Sequence, residues 1–344
     1  MRVTISAAAS LISLSGVSFL LWNKFSARHR SSRNPSAIQK MRKLARLVSA
    51  KAPTYLHFAK AEPSWVAMFV LARFSLVRRL AWARPRNWSM PRGSTIFEEA
   101  DAGEIAASLR RDGLYRPLKL PAEIVAEIMA FAQRMPCFAD KDRSAEFLPR
   151  DIGQAQARRG KAIVTGHYLD RTEQCPALVR VANDALLMDV ARAYLGGDPK
   201  LIRLRLWWSF PAPAASEGQR RLAAQDHYHY DLGDWREIKV FFYLTPVDAK
   251  AGPHVYIKRS HRAHSLADQL SPFLGRPRRE VLRRYGPENV VVLHGDAGEG
   301  FVEDPYGFHM ATSVTGSPRL MLEISFGPST PSRRRYYDER IGGN

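Results

Sequence analysis

A mainly β domain with flanking helices is the fold class this sequence predicts. Two observations carry it. Residues 200–327 hold six short runs rich in β-branched and aromatic residues, separated by Gly, Pro and Asp, which is the pattern of a sandwich, barrel or jelly roll. Ahead of them lie three stretches of helical periodicity. A hydrophobic fraction of 45% over 344 residues supplies a sizeable core and excludes wholesale disorder.

The helices come first. Residues 99–113 have helical spacing and stop at Gly113. Residues 121–135 begin with Pro121 at a helix N-terminus and place Ile124, Ile128 and Phe131 on one face. Residues 176–197 give one or two more helices, ended by Gly196–Gly197. The expected strands are 200–210, 236–247, 253–258, 289–295, 299–304 and 319–327. Residues 93–344 contain no internal repeat and no low-complexity run.

Charge divides the chain. Residues 1–92 hold 17 Lys/Arg and one acid, Glu62, so +16 of the net +19 belongs to them. Residues 93–344 keep only +3, and no nucleic-acid-binding motif accompanies the basic region, so a nucleic-acid partner is not expected. The uncharged stretch 3–22 has the length of a membrane span and is followed by Lys24, Arg28, Arg30 and Arg33. A single-pass anchor there puts the bulk of the chain in the cytoplasm, attached to the inner membrane. A signal peptide and a misassigned start are the competing readings. Residues 64–84 mix Trp, Phe and Leu with arginines, as an amphipathic helix on a membrane surface does, or a helix packed on the domain with its arginines in solvent. A Pro/Arg-rich linker (83–93) leads to the domain, residues 93–335, and 336–344 form a tail. Cys137 and Cys175 are expected to be reduced thiols.

The chemistry concentrates in QDHYHYDLGD (225–234). His229 and Asp231 are two apart, so on a strand both point to one face, with Cα atoms ~6.5 Å apart. A third ligand from a distant strand completes a two-His, one-carboxylate triad that leaves coordination positions open, as suits Fe(II). An HxD pair alone is weak evidence. Context strengthens it: His309 precedes a predicted strand, and Arg319 stands ten residues later, where a guanidinium fork takes a carboxylate.

Taken together, HYDLGDWREIKVFFYLTPVDAKAGPHVYIKRSH (229–261) and the region of His309 and Arg319 resemble the phytanoyl-CoA dioxygenase family over residues 95–330. The resemblance implies a double-stranded β-helix (jelly-roll, cupin-like) core with Fe(II), 2-oxoglutarate and O2. It makes His229, Asp231 and His309 the metal ligands and Arg319 the grip on the distal carboxylate of 2-oxoglutarate. A hydroxyl residue often stands two places after the distal His. Here that residue is Ala311, so Thr312 or Ser313 is the substitute expected for cofactor binding. Halogenating relatives carry a small residue in place of the carboxylate; Asp231 implies hydroxylation, with succinate and CO2 released.

Other residues have plainer readings. His227 is expected beside the pocket, or paired with His229 in a cupin-type metal isomerase or epimerase. His254, His261, His264 and His294 read as structural or solvent-facing, and Asp226 and Glu237 as solvated or hydrogen-bonding. Of Trp207 and Trp208 only one can face inward, and Tyr243 sits on a predicted strand. The substrate expected is a small or lipid-like molecule. A catalytically silent, membrane-tethered jelly-roll binding protein is the reading from another class.

Overall fold

The computed structural model of the chain describes residues 63–80, 93–97, 100–271 and 273–329. The candidate anchor 3–22, the tail 336–344 and all of the linker but Gly93 lie outside them. The compact unit that carries the site begins at Met68.

Thirteen strands are found among the described residues: β1 (Leu114–Lys119), β2 (Cys137–Ala139), β3 (Glu146–Phe147), β4 (Thr165–His167), β5 (Lys200–Ser209), β6 (Tyr228–His229), β7 (Ile238–Tyr243), β8 (His254–Ile257), β9 (Gly275–Arg276), β10 (Val290–Leu293), β11 (Glu299–Glu303), β12 (His309–Ala311) and β13 (Arg319–Gly327). Eight form one antiparallel sheet in the order β1-β11-β7-β13-β5-β4-β2-β3. Five form a smaller one, β10-β8-β12-β6-β9. From β5 onward the chain crosses repeatedly between the sheets, which makes the core a double-stranded β-helix. The six expected strands are β5, β7, β8, β10, β11 and β13.

The large sheet is two-sided, and period-2 alternation sorts its residues. Ile238, Val240 and Phe242 of β7 and Leu320, Leu322, Ile324 and Phe326 of β13 share one hydrocarbon cluster with Ile105, Leu109, Ile128, Leu187 and Val190. Those partners come from the helices Ala102–Asp112, Ala122–Arg134 and Ala185–Leu195. Asp101 caps the first of these by accepting from the Glu104 amide at 2.8 Å, and Gly113 (φ 78°) ends it in the left-handed region. Trp208 belongs to the same cluster, whereas Trp207 packs on the other face, against the group that holds Phe241, Tyr243, Phe301 and Met321.

That other face, toward the small sheet, is not hydrocarbon alone. Arg205 grips Glu323 through three contacts of 2.6–3.2 Å. Arg203 reaches Glu237 at 3.3 Å. Of the two readings given for Glu237, the hydrogen-bonding one holds: it is buried and paired with Arg203. Arg203 and Arg205 of β5, Lys239 of β7 and Glu323 of β13 share this face with Glu237, which immediately precedes β7.

The expected helix over 64–84 is two short helices, Pro63–Leu71 and Ser75–Leu80, with its last residues outside the described ones. Arg73 and Arg78 are buried rather than displayed to solvent. Arg78 lies over the Tyr306 ring at 4.0 Å, donates to the Trp235 carbonyl at 3.0 Å and stands 3.7 Å from Asp304. Among the described residues no helix is long and apolar enough to cross a membrane.

Replacing a hydrocarbon of the helix-covered face tests this layering. Leu322→Ala is expected to lower unfolding free energy by about 2–5 kcal/mol in denaturant titrations while leaving metal uptake by the folded protein unchanged. A loss below 1 kcal/mol (about the cost of an exposed substitution) would contradict the placement.

Candidate metal centre

One tight turn organises the site. In Asp304-Pro305-Tyr306-Gly307 the Gly307 amide donates to the Asp304 carbonyl at 3.0 Å, and the Tyr306 amide to the Asp304 carboxylate at 2.9 Å. Asp at the first position and Pro at the second are the residues such a turn selects. Gly307 meets a further demand: a Cβ there would lie 2.0 Å from the Tyr256 hydroxyl. The turn's carbonyls then point at two functional segments. Pro305 accepts from the Asp231 amide at 2.7 Å, and Gly307 accepts from His309 Nδ1 at 2.9 Å.

The sheet supplies the rest. His309 on β12 is the direct cross-strand partner of His229 on β6, and their ring centroids are 4.4 Å apart. Strand β6 ends at His229, so Asp231 is held by the turn rather than by a strand ladder. One ligand atom from each of His229, Asp231 and His309 lies within 4.8 Å of the others. His229 Nδ1 stands 3.0 Å from the His227 carbonyl, and His309 Nδ1 is held likewise by Gly307. The two carbonyls thus set both rings with Nδ1 protonated, leaving Nε2 as the atom that would meet a cation. The arrangement fits one borderline divalent metal with open positions.

Electrostatics agree. Burial alone would raise the Asp231 pKa, but the Lys239 ammonium, 2.5 Å away, and the two imidazoles hold it well below the usual carboxylate range. Burial and the His309 charge bring His229 down to about 4. Burial also pulls on His309, yet Glu303 and Asp231 outweigh it and lift its pKa to about 9. Behind His309 stands a buried carboxylate: Glu303 is 2.8 Å from His254 Nε2 and 3.9 Å from His309 Nδ1. His254 stacks on His309 with centroids 5.5 Å apart.

Arg319, 2% exposed at the start of β13, is the other cation of this space. It donates to the Gly252 carbonyl and, at 3.2 Å, to Ser209 Oγ, while its Nε has no partner. Arg203, Arg205 and Lys239 each have a carboxylate within 4 Å; among the described residues Arg319 has none. Thr312 turns its hydroxyl to the Pro253 carbonyl at 3.0 Å, and Ser313 bonds Arg220, Gln225 and Asp226. The hydroxyl beside Arg319 is that of Ser209. His227 contributes its carbonyl, with its ring against Gly275.

Sequence reading had no reason to pick Lys239, Glu303, Glu323 or Ser209. Only the strand parity of β5, β7, β11 and β13 marks them as lumen-facing.

No family model matches the chain, and no curated protein matches it. Solved structures do. The non-heme alpha ketoglutarate dependent epimerase SnoN from nogalamycin biosynthesis is 18% identical, with 67% of this chain and 84% of that chain covered and a TM-score of 0.46. AviO1 from Streptomyces viridochromogenes Tue57 is 16% identical (69% and 98% covered, TM-score 0.44). EctD from S. alaskensis is 19% identical (71% and 83% covered, TM-score 0.43). At this level the similarities bear on neither substrate nor reaction.

A protonated imidazole cannot ligate, so loading a cation must drive the proton off His309. Apparent affinity for Mn(II) or Fe(II) is expected to rise about tenfold per pH unit from neutrality to about pH 9, then level off. Calorimetric titration in buffers of different ionisation enthalpy reads both the slope and the released proton. An affinity independent of pH would remove His309 from the ligand set.

Proposed function

We propose that this chain is an Fe(II)- and 2-oxoglutarate-dependent oxygenase that hydroxylates an organic substrate. The carrying observation is the pairing of two unlike features in one lumen. Two opposed imidazoles with a carboxylate form a cation site. Beside it a buried guanidinium lacks a counter-ion. An unpaired buried charge costs several kcal/mol, which an anionic ligand offsets. A dicarboxylate that also chelates the metal satisfies both features at once. The resemblance of 229–261 and of the His309–Arg319 region to the phytanoyl-CoA dioxygenases supports the same reading.

On this reading His229, Asp231 and His309 hold Fe(II), which when bound supplies O2 activation coupled to release of succinate and CO2. Arg319 takes the distal carboxylate as a charge-assisted pair, with Ser209 fixing the guanidinium. Lys239 keeps Asp231 ionised. Glu303 and Gly307 hold His309 in the tautomer that presents Nε2. Phe241, Phe301, Met321 and Trp207 form the apolar wall that excludes water from the reacting centre. The substrate is a small or lipid-like molecule.

Iron-loaded protein is expected to convert 2-oxoglutarate to succinate slowly without added substrate. Arg319→Gln should raise the 2-oxoglutarate requirement by about tenfold or more while preserving metal uptake, since a charged hydrogen-bonded pair contributes about 1.5–3 kcal/mol. Metal uptake with no turnover of 2-oxoglutarate, or an unchanged requirement in the variant, would sink the assignment. The first outcome would favour a metal isomerase.

A further inference from the structure

We propose that the surface formed by residues 70–80, 266–271 and 273–279 docks on an anionic lipid bilayer. Single exposed leucines are ordinary. Here, however, seven of the ten large apolar side chains found exposed among the described residues fall in two segments: Val70, Leu71, Leu76 and Leu80, and Leu266, Leu270 and Phe273. The segments are neighbours in space. The Ser75 amide donates to Gln269 Oε1 at 2.9 Å, and the Arg73 guanidinium donates to the Ser271 carbonyl.

Both segments also invert the usual sorting of a surface helix. In Ser75–Leu80 the buried residue is Arg78, while Leu76 and Leu80, one turn apart, face solvent. In Leu266–Leu270 the buried residues are Asp268 and Gln269, while Leu266 and Leu270, again one turn apart, are 72% and 55% exposed. Polar groups have been drawn inward to be bonded (Asp268 to Arg276 at 2.7 Å, Gln269 to Ser75), leaving leucine outward. Such inversion suits a surface whose solvent is not water.

Charge identifies that solvent. Residues 68–80 and 265–286 carry eight arginines and two acids, and Arg79, Arg278, Arg279, Arg283 and Arg284 are exposed. The chain ahead of the first segment is more basic still, with 11 Lys/Arg and one acid in residues 1–62. Leucine and phenylalanine rimmed by arginine match an acyl boundary beneath anionic headgroups. A second copy of the same cationic face would be repelled. The surface adjoins the candidate metal centre: β9, at the end of the second segment, pairs with β6, Gly275 opposite His229. An amphiphile leaving the bilayer there would meet the lumen directly, a consequence that rests on the oxygenase reading; the docking itself does not.

The test uses the full chain and sedimentation with vesicles of phosphatidylcholine alone or mixed with phosphatidylglycerol. Binding to the mixed vesicles and not to the neutral ones is expected. Replacing Leu76, Leu80, Leu266 and Leu270 together by Ser should weaken it about tenfold or more. Val292→Ser, at an exposed site on β10, should leave it unchanged. Undiminished binding of the quadruple variant would assign attachment to residues 1–62 and overturn the proposal. So would failure of the wild type to bind, or a wild-type dimer that the four substitutions convert to monomer. Turnover of 2-oxoglutarate, measured separately without vesicles, keeps failure of docking distinct from failure of the oxygenase reading.

Discussion

The four residues Asp304 to Gly307 hold the candidate site together. Their carbonyls fix Asp231 through its amide and His309 through its ring nitrogen, two groups 78 positions apart in the chain. Neither is fixed adequately by the sheet alone: Asp231 lies past the end of β6, and an imbedded imidazole in a three-residue strand still needs its ring orientation set. The turn in turn rests on Tyr194, which donates to Asp304 at 2.7 Å, on Tyr256, which donates to its carbonyl, and on Arg78. A metal site needs its ligands placed within fractions of an ångström, and such placement comes from bonded neighbours rather than from ligand identity.

The lumen contains more charge than stability favours. Buried ion pairs often contribute less than well-packed hydrocarbon of the same volume, yet β5, β7 and β13 alternate Arg, Lys and Glu toward it. The pairs balance one another and keep the local field nearly neutral except at Arg319. Glu323, for all its burial, is held to about 2 by Arg205 and Lys239. A scaffold of fixed charges beside the candidate metal ligands and a guanidinium with no carboxylate partner is intelligible as preparation for an anion and a cation together. As a device for stability alone it makes little sense.

The extent to which this was legible in sequence varies by element, for physical reasons. Strands β5, β7, β8, β10, β11 and β13 were readable because β-branched and aromatic runs between turn residues have few other uses. The strands that carry His229 and His309 were not, since two or three residues cannot display a period. That His229, Asp231 and His309 come together was expected from the HxD spacing and the resemblance of the flanking segments. Its supports were hidden. Lys239, Glu303 and Glu323 sit in runs that read as hydrophobic, and nothing local says which parity faces the lumen. Arg73 and Arg78 read as solvent-facing because composition cannot reveal that a turn 230 residues away presents a tyrosine ring and a carboxylate. Ser209 stands opposite Arg319 across a strand pair, a neighbour that sequence spacing does not display.

The burial of Arg78 has a mechanical side. The short helix Ser75–Leu80 sets the Arg78 guanidinium on the turn that aims the candidate ligands, and just ahead of it the Arg73 carbonyl accepts from the Tyr306 hydroxyl. A displacement of this segment therefore bears on Tyr306 and Asp304 through two neighbouring residues. A change in how residues 73–78 are seated would thus be felt at the turn that orients Asp231 and His309.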